Sequence, residues 1–222
     1  ALEGYDFVSP PSRHQAVAIL AQGISGHDLS VCVPQPLPAS MPVQCIVADL
    51  LSCDAQFVVH QVSCIHAEAA SGLASAVFAK HPEANVYAER RALRAKGEAI
   101  ASTISVPGSI SVHGDRIVNL YGQYIADKPI ENPEEEIPAL PAPLAEAFAC
   151  NSDVKDTREQ RLTWFKQGLR EIPKELPEVK SIALPKNIGC GIAGGVWAEY
   201  EQAISEFSAE NPNMEIFIIA RS

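Results

Sequence analysis

Long hydrophobic runs are missing from this chain of 222 residues. No apolar stretch approaches the ~20 residues that cross a bilayer as a helix, so no membrane partner is expected. Cations are also short, with 17 Lys+Arg against 27 Asp+Glu and a net charge of −10. Non-specific affinity for nucleic acid comes from neutralising phosphates with cations, so nucleic acid is not expected as a partner. Cysteine is sparse, at positions 32, 45, 53, 64, 150 and 190, and never in C-x-x-C spacing. Several of these thiols lie in apolar strand-like runs, where they act as small hydrophobes; a reducing, intracellular (cytoplasmic) setting is expected. The chain opens at Ala1 without methionine and without a basic-then-apolar leader, so no signal peptide is read. A processed product and an excised piece both fit that start. Serine-histidine-aspartate order, a Walker lysine, paired carboxylates and internal repeats are all absent.

What is present is a concentration of glycine near the carboxyl end. Ser181–Leu184 reads as a short buried strand. Pro185–Gly195 is a turn holding Gly189, Gly191, Gly194 and Gly195. A helix starts at Val196 or Trp197, with Trp197, Tyr200, Ile204 and Phe207 at helical spacing. A strand, a glycine-rich turn and a helix N-terminus together suit an anion: glycine lets the backbone approach, and free N–H groups and the helix dipole favour negative charge. The turn is expected to hold a diphosphate. Gly189-Cys190-Gly191-Ile192-Ala193-Gly194 satisfies G-x-G-x-x-G, but one helix and one strand (Met214–Ala220) are all that can follow it. A dinucleotide-binding Rossmann unit needs more chain than that, and lacks a Pro-Lys-Asn spacer before its first glycine.

Ahead of this lies an alternation of strands and helices. Residues 1–42 read as an extension, with a helix over Ser12–Gln22, a strand over Leu29–Val33 and a stiff proline-rich linker; the main domain spans 43–222. Val43–Ala48 and Gln56–Val62 read as strands. A polar-and-small loop, Ser63–Ser71, leads to a helix over Gly72–Lys80 that buries Leu73, Val77 and Phe78. Pro82 suits the first position of a second helix, which carries Tyr87, Arg90, Arg91 and Arg94 and stops at Gly97; its arginines read as a solvated face. Ser109–His113 and Arg116–Tyr121 form a hairpin around Gly114-Asp115. Ile125–Val154, rich in proline and acid, reads as a surface excursion. Thr157 with Gln160 caps a helix whose apolar face is Leu162, Phe165, Leu169 and Ile172. The order β-β-α-α-β-β-α-β-α-β describes an α/β sheet with helices on both sides.

Four segments carry a resemblance, Tyr121–Tyr124 among them. Ile188–Gly195 with Trp197 resembles the second ligand loop of macro domains, nearest the branch of ADP-ribose 1''-phosphate phosphatases and terminal ADP-ribose glycohydrolases. Val47-Ala48-Asp49-Leu50 resembles that family's first-strand motif, whose aspartate binds adenine. Val59-His60-Gln61-Val62-Ser63-Cys64, running on to Gly72-Leu73-Ala74, resembles its first ligand loop. The resemblance implies a three-layer α/β/α fold with a mixed sheet, ADP-ribose or a derivative of it as ligand, an ADP-ribosylated protein as a further partner, and no cofactor or metal. It places Asp49, Leu50, Ser63, Ser71, Gly72, Leu73, Pro185, Ile188, Gly189, Cys190, Gly191, Ile192, Ala193 and Gly194 on the ligand, with Tyr121 and Gln123 toward its distal ribose.

Chemistry alone gives Asp49 two roles, accepting from an adenine amine or capping the next turn. His60 likewise has two. The resemblance to the phosphatase branch implies that it is the catalytic residue, as nucleophile or general base toward a 1''-phosphate; the alternative is a buried histidine holding a loop carbonyl. Departures from the family pattern bear on turnover. Val196 stands where an aspartate would cap the helix, and Ala193 stands where the glycohydrolase branch has its catalytic aspartate. No lysine lies near Gln123, so a lysyl-adduct glycohydrolase is not expected. Ala69-Ala70-Ser71 replaces glycines, in a loop one residue longer. His60, Cys64, His66 and Glu68 match no tetrahedral metal spacing. Three readings remain: an enzyme on ADP-ribose 1''-phosphate, a non-catalytic reader of ADP-ribose, and a macro fold used as an interaction surface.

Overall fold

The computed structural model describes residues 43–98, 100–130 and 154–221. Expectations for the extension 1–42, and for most of the excursion at 125–154, lie outside the described residues. Strand β1 is Gln44–Val47 and β2 is Phe57–Ser63; helices α1 (Gly72–Lys80) and α2 (Val86–Ala95) follow. The hairpin β3 (Ile110–His113) and β4 (Ile117–Gln123) comes next. Helix α3 (Arg158–Glu175), β5 (Ser181–Pro185), α4 (Trp197–Glu210) and β6 (Glu215–Ala220) complete the order. The sheet runs β1-β6-β5-β2-β4-β3; every pairing is parallel except β3 with β4, so it is mixed, as expected.

Side-chain alternation divides the strands between two apolar layers. Val58, Val62, Ile117, Tyr121, Ala183 and Ile219 join Val77, Phe78 and Tyr87 from α1 and α2. Phe57, Val59, Val118, Leu120, Ile182, Leu184, Ile216 and Ile218 join Phe165, Leu169 and Ile172 of α3 and Tyr200, Ile204 and Phe207 of α4. Helices therefore cover both faces, giving three layers. Because the parallel strands point one way, the segments after β1, β2, β4, β5 and β6 all emerge on one edge. In such sheets ligands bind there.

Local chemistry accounts for the element ends. Thr157 accepts from Gln160 N–H and caps α3, and Asn85 accepts from Ala88 N–H and caps α2. Pro82 does not begin α2: it opens a short 3-10 turn, Pro82–Ala84, and α2 starts only after Asn85. Two burial expectations are corrected. Leu73 is 39% exposed, because the first turn of α1 overhangs the sheet edge instead of its apolar layer. Arg90 is 1% exposed and is no part of a solvated face. It falls on the stripe Val86, Tyr87, Arg90, Leu93 that turns toward the sheet.

Gly168 lies where α3 crosses β4. A Cβ there would stand 2.6 Å from Leu120 Cγ. Gly168→Ala gains up to about 1 kcal/mol of helix propensity but overpacks the crossing, which costs typically 1–3 kcal/mol. A net loss of stability in urea unfolding is expected; a more stable variant would show that α3 shifts freely on the sheet.

Candidate functional site

A cavity of about 920 Å³ opens at the carboxyl edge of the sheet. It is lined by Asp49 and Leu50 after β1, by Ala70, Ser71, Gly72 and Leu73 before and within α1, and by Gln123 and Ala126 after β4. Pro185, Lys186, Asn187, Ile188, Gly189, Gly191, Ile192 and Ala193 line it from the loop after β5, and Ile219 and Arg221 from β6 and its end. Twelve of the seventeen expected site residues therefore stand on one cavity: Asp49, Leu50, Ser71, Gly72, Leu73, Gln123, Pro185, Ile188, Gly189, Gly191, Ile192 and Ala193.

The loop from Pro185 to Val196, here loop 2, is a succession of tight turns. Ile188 N–H donates to Pro185 O, Cys190 N–H to Asn187 O, Gly194 N–H to Gly191 O and Gly195 N–H to Gly189 O, all within 2.9–3.1 Å. Gly189 and Gly194 both have φ of +72°, where glycine is needed. Gly189 is also constrained by space, since a Cβ would stand 2.3 Å from the Tyr200 ring. The turns consume the carbonyls and leave the N–H groups of Gly191, Ile192 and Ala193 without a partner among the described residues. Across the cavity α1 begins at Gly72 with Ser71 as an N-cap whose side chain makes no capping bond. The first N–H groups of α1 have no intrahelical partner. Two sets of main-chain donors thus face one space from opposite sides, an arrangement that binds an anion.

Two buried arginines hold these loops. Arg161 of α3, fully buried, forms a bidentate pair with Asp156 (Nε to Oδ1 2.6 Å, Nη2 to Oδ2 2.7 Å). Its Nη1 also donates to Ala193 O at 3.1 Å and Asp127 O at 2.7 Å. Arg90 of α2 donates to Ser63 O and His66 O, both at 3.1 Å, to Thr103 O at 3.1 Å and to Ser105 Oγ at 3.0 Å. Removing one member of a buried charged pair costs about 3–5 kcal/mol, so the Arg161–Asp156 anchor is a structural requirement. Neither was expected from the sequence. A signal existed: each arginine interrupts an apolar helical stripe, Arg161 lying four residues before Phe165 and Arg90 three after Tyr87.

Five expected residues do not line the cavity. Ser63 is fully buried; its Oγ donates to Tyr124 O at 2.7 Å and accepts from Ile65 and His66 N–H, while its own N–H donates to Tyr87 Oη. It shapes the loop before α1, here loop 1, and touches no open space. Tyr121 is buried, its hydroxyl paired with Ser111 Oγ at 2.8 Å. Cys190 turns its thiol back to Ile188 O at 3.2 Å, and burial pushes that thiol up to about 11. Gly194 packs at Pro129, where a Cβ would meet Cδ at 2.8 Å.

His60 is the fifth, and its expected catalytic role is corrected. It is 1% exposed, and its ring meets Phe78 edge-on at 5.5 Å. Nε2 lies 2.6 Å from Asn119 Oδ1, and Asn119 Nδ2 donates to Ala84 O at 2.9 Å. The amide orientation makes Nε2 the protonated nitrogen. Nδ1 is buried with no partner. Burial drives the imidazole down to about 4. His60 thus holds a loop carbonyl through Asn119, on the layer under α1 and α2, and does not line the cavity. Alternation put it on the face of Val58 and Val62, but that face is core; the neighbour Gln61 reaches the cavity instead.

Asp49 does cap the next turn, accepting from Leu51 N–H at 3.2 Å and Ser52 Oγ at 2.6 Å. The Ser52 hydroxyl first, and then the Leu51 N–H, hold its carboxyl below the usual range. It remains on the cavity wall with acceptor capacity to spare. Sequence reasoning missed Gln61, His66, Lys186 and Arg221, all of which line the cavity. Gln61 Nε2 donates to Gln123 Oε1 at 3.0 Å, and Gln61 Oε1 is buried without a partner. No cluster of three His, Cys, Asp or Glu suited to a metal occurs among the described residues.

No family model matches the chain, and no curated protein matches it. Solved structures do. The macrodomain of Mycobacterium tuberculosis DarG aligns over 82% of this chain and 98% of its own, with TM-score 0.52 and 18% identity. The macrodomain of Thermus aquaticus DarG aligns over 80% and 97%, with TM-score 0.51 and 19% identity. The fold is that of a macrodomain. A Bacteroides thetaiotaomicron protein of unknown function has the same arrangement, with TM-score 0.52 and 21% identity over 82% of this chain and 99% of that one. At such identities the likeness is one of fold. Within the macrodomain fold, this chain's loop 2 enters α4 through Val196, which provides no side-chain cap. A missing cap costs about 1 kcal/mol.

The His60 ring gives a test by pH. Its folded value, about 4, lies below the ordinary 6.5, so the unfolded chain binds the extra proton. Its contribution is fully present above pH ~6.5 and is lost as pH falls toward ~4, by about 3 kcal/mol in all. Urea unfolding across that range should show this slope, and His60→Gln should flatten it. An unchanged slope in the variant would mean that other groups carry it.

Proposed function

We propose that this chain binds ADP-ribose, either free or as the terminal unit on a modified protein, and does so without turnover. The observation carrying this is the pair of amide-lined loops facing each other across one cavity, which suits a diphosphate bridging two sugars. A cavity of about 920 Å³ lies within the usual span of small-molecule sites, ~300–1,000 Å³. Main-chain donors explain how an acidic chain accepts an anionic ligand. Asp49, beside Leu50 at one end, accepts from the adenine amine, and Gln61 with Gln123 offers amide groups at the cavity floor.

Hydrolysis of ADP-ribose 1''-phosphate is the second reading. His60, the residue first suggested for it, has neither access to a ligand nor a suitable protonation range. One observation keeps the second reading in play: another imidazole, His66, stands on the cavity.

Calorimetry with ADP-ribose is expected to give saturable heat. Gly191 supplies the control, because a Cβ there meets nothing within 4 Å and its φ is ordinary. Gly191→Val should fold with stability within about 0.5 kcal/mol of the parent yet lose binding by about tenfold or more, as its side chain enters the space of the diphosphate. No heat at millimolar ligand would leave only the surface role. Phosphate release from ADP-ribose 1''-phosphate would replace the reader with the enzyme.

A further inference from the structure

His66 is set more firmly than a loop residue needs to be. Its N–H donates to Ser63 Oγ at 3.2 Å and its carbonyl accepts from Arg90 Nη1 at 3.1 Å, so the main chain is fixed on both sides of the ring. The imidazole stands edge-on to Tyr87, with centroids 4.8 Å apart and planes at 77°. It lines the cavity beside Ala70, Ser71 and Gly72, the segment that presents the free amides of α1. Its side-chain bond is weak: Nε2 lies 3.5 Å from Ala69 O, at the outer limit of hydrogen bonding. A ring nitrogen so held can exchange that carbonyl for a better acceptor at little cost.

We propose that His66 is a ligand contact, and that its imidazolium donates a hydrogen bond to an anionic oxygen of the diphosphate seated on loop 1, so that binding takes up a proton. This rests on the ADP-ribose reading and adds a residue to it. Around the ring, Glu68 comes from its own loop, and Tyr87, Arg90 and Arg91 from α2. Glu68 is already engaged by Arg94. In the free protein partial burial, the largest effect, holds the imidazole below the ordinary 6.5; Ala69 O and then Glu68 oppose it, and the Arg90 and Arg91 guanidiniums add smaller pushes in the direction of burial. The free ring is therefore neutral at neutral pH. A bound oxyanion favours the charged form and raises it. A group protonated in the complex and neutral without ligand makes affinity rise as pH falls; the gain levels off once the free ring is also protonated.

ADP-ribose is a suitable probe, because its diester diphosphate does not titrate near neutrality. Calorimetry at pH ~8 and ~6 should give several-fold tighter binding at the lower pH, up to about tenfold. In two buffers of different ionisation enthalpy the heats should report proton uptake. His66→Gln keeps the bonds to Ser63 and Arg90, which are main-chain bonds, and should bind ADP-ribose with no pH slope and no uptake. A titration of the His66 ring by NMR, with and without ligand, should move its midpoint upward on binding. Binding by the parent that is flat with pH, or a slope that survives His66→Gln, overturns the inference and leaves the ADP-ribose reading standing. No heat at either pH removes that reading and this inference with it.

Discussion

A buried guanidinium beneath each of the two cavity loops is the constraint on which the candidate site depends. Arg90 draws in the carbonyls of Ser63 and His66, and Arg161 draws in that of Ala193. Each anchor thereby fixes the main-chain path of its loop. The two are stabilised differently. Arg161 is matched by the equally buried Asp156. Arg90 meets carbonyls and a hydroxyl, which are neutral acceptors. Hydrogen bonds from a charged donor contribute roughly 1.5–3 kcal/mol each, and four of them offset the desolvation of a lone cation. The result is a cavity whose donors are oriented before a ligand arrives, which reduces the ordering cost of binding.

That arrangement reconciles an acidic protein with the anionic ligand proposed for it. Lys186 and Arg221 stand at the cavity wall, but the proposed centre of recognition is peptide dipoles. Close packing around Tyr200 forces the loop into this form. Its ring lies against Gly189 and Gly195, where Cβ atoms would approach within 2.3 and 2.5 Å, and glycine is required at both on grounds of space. Beneath the same loop, Tyr200 Oη and Gln61 Oε1 are buried without partners. Each such group costs about 1–3 kcal/mol if it stays unpaired, so the floor of the cavity carries unspent hydrogen-bonding capacity close to the place proposed for the ligand's sugars.

His60 shows how a residue can carry the chemistry of a site and lack the position. Strand alternation assigns its face correctly, together with Val58 and Val62, and nothing in a strand's pattern says which face is roofed by helices at that level. Asn119, its register neighbour on β4, turns it into one link of a buried chain ending at Ala84 O. Ser63 and Tyr121 follow the same logic. Each has a hydroxyl suited to a sugar, and each uses it on the protein, Ser63 to fold loop 1 and Tyr121 to bond the edge strand.

Glycine spacing, hydrophobic periodicity and the order of elements determined, without coordinates, an α/β sheet with helices on both sides and a glycine-rich turn before the last helix, while the mixed character of the sheet came only from the family resemblance. Those signals are local: a period of two or about 3.6 and a cluster of residues tolerant of positive φ act over a few neighbours, and the chain records them directly. Tertiary structure alone decided which polar side chains reach the cavity. Arg90 and Arg161 went inward because distant carbonyls needed donors, and His60 went inward while Gln61 and His66 reached the cavity. Such choices depend on partners far away in sequence, thirty-two positions in the case of Arg161 and Ala193, and on the low dielectric that makes an unpaired polar group costly once buried.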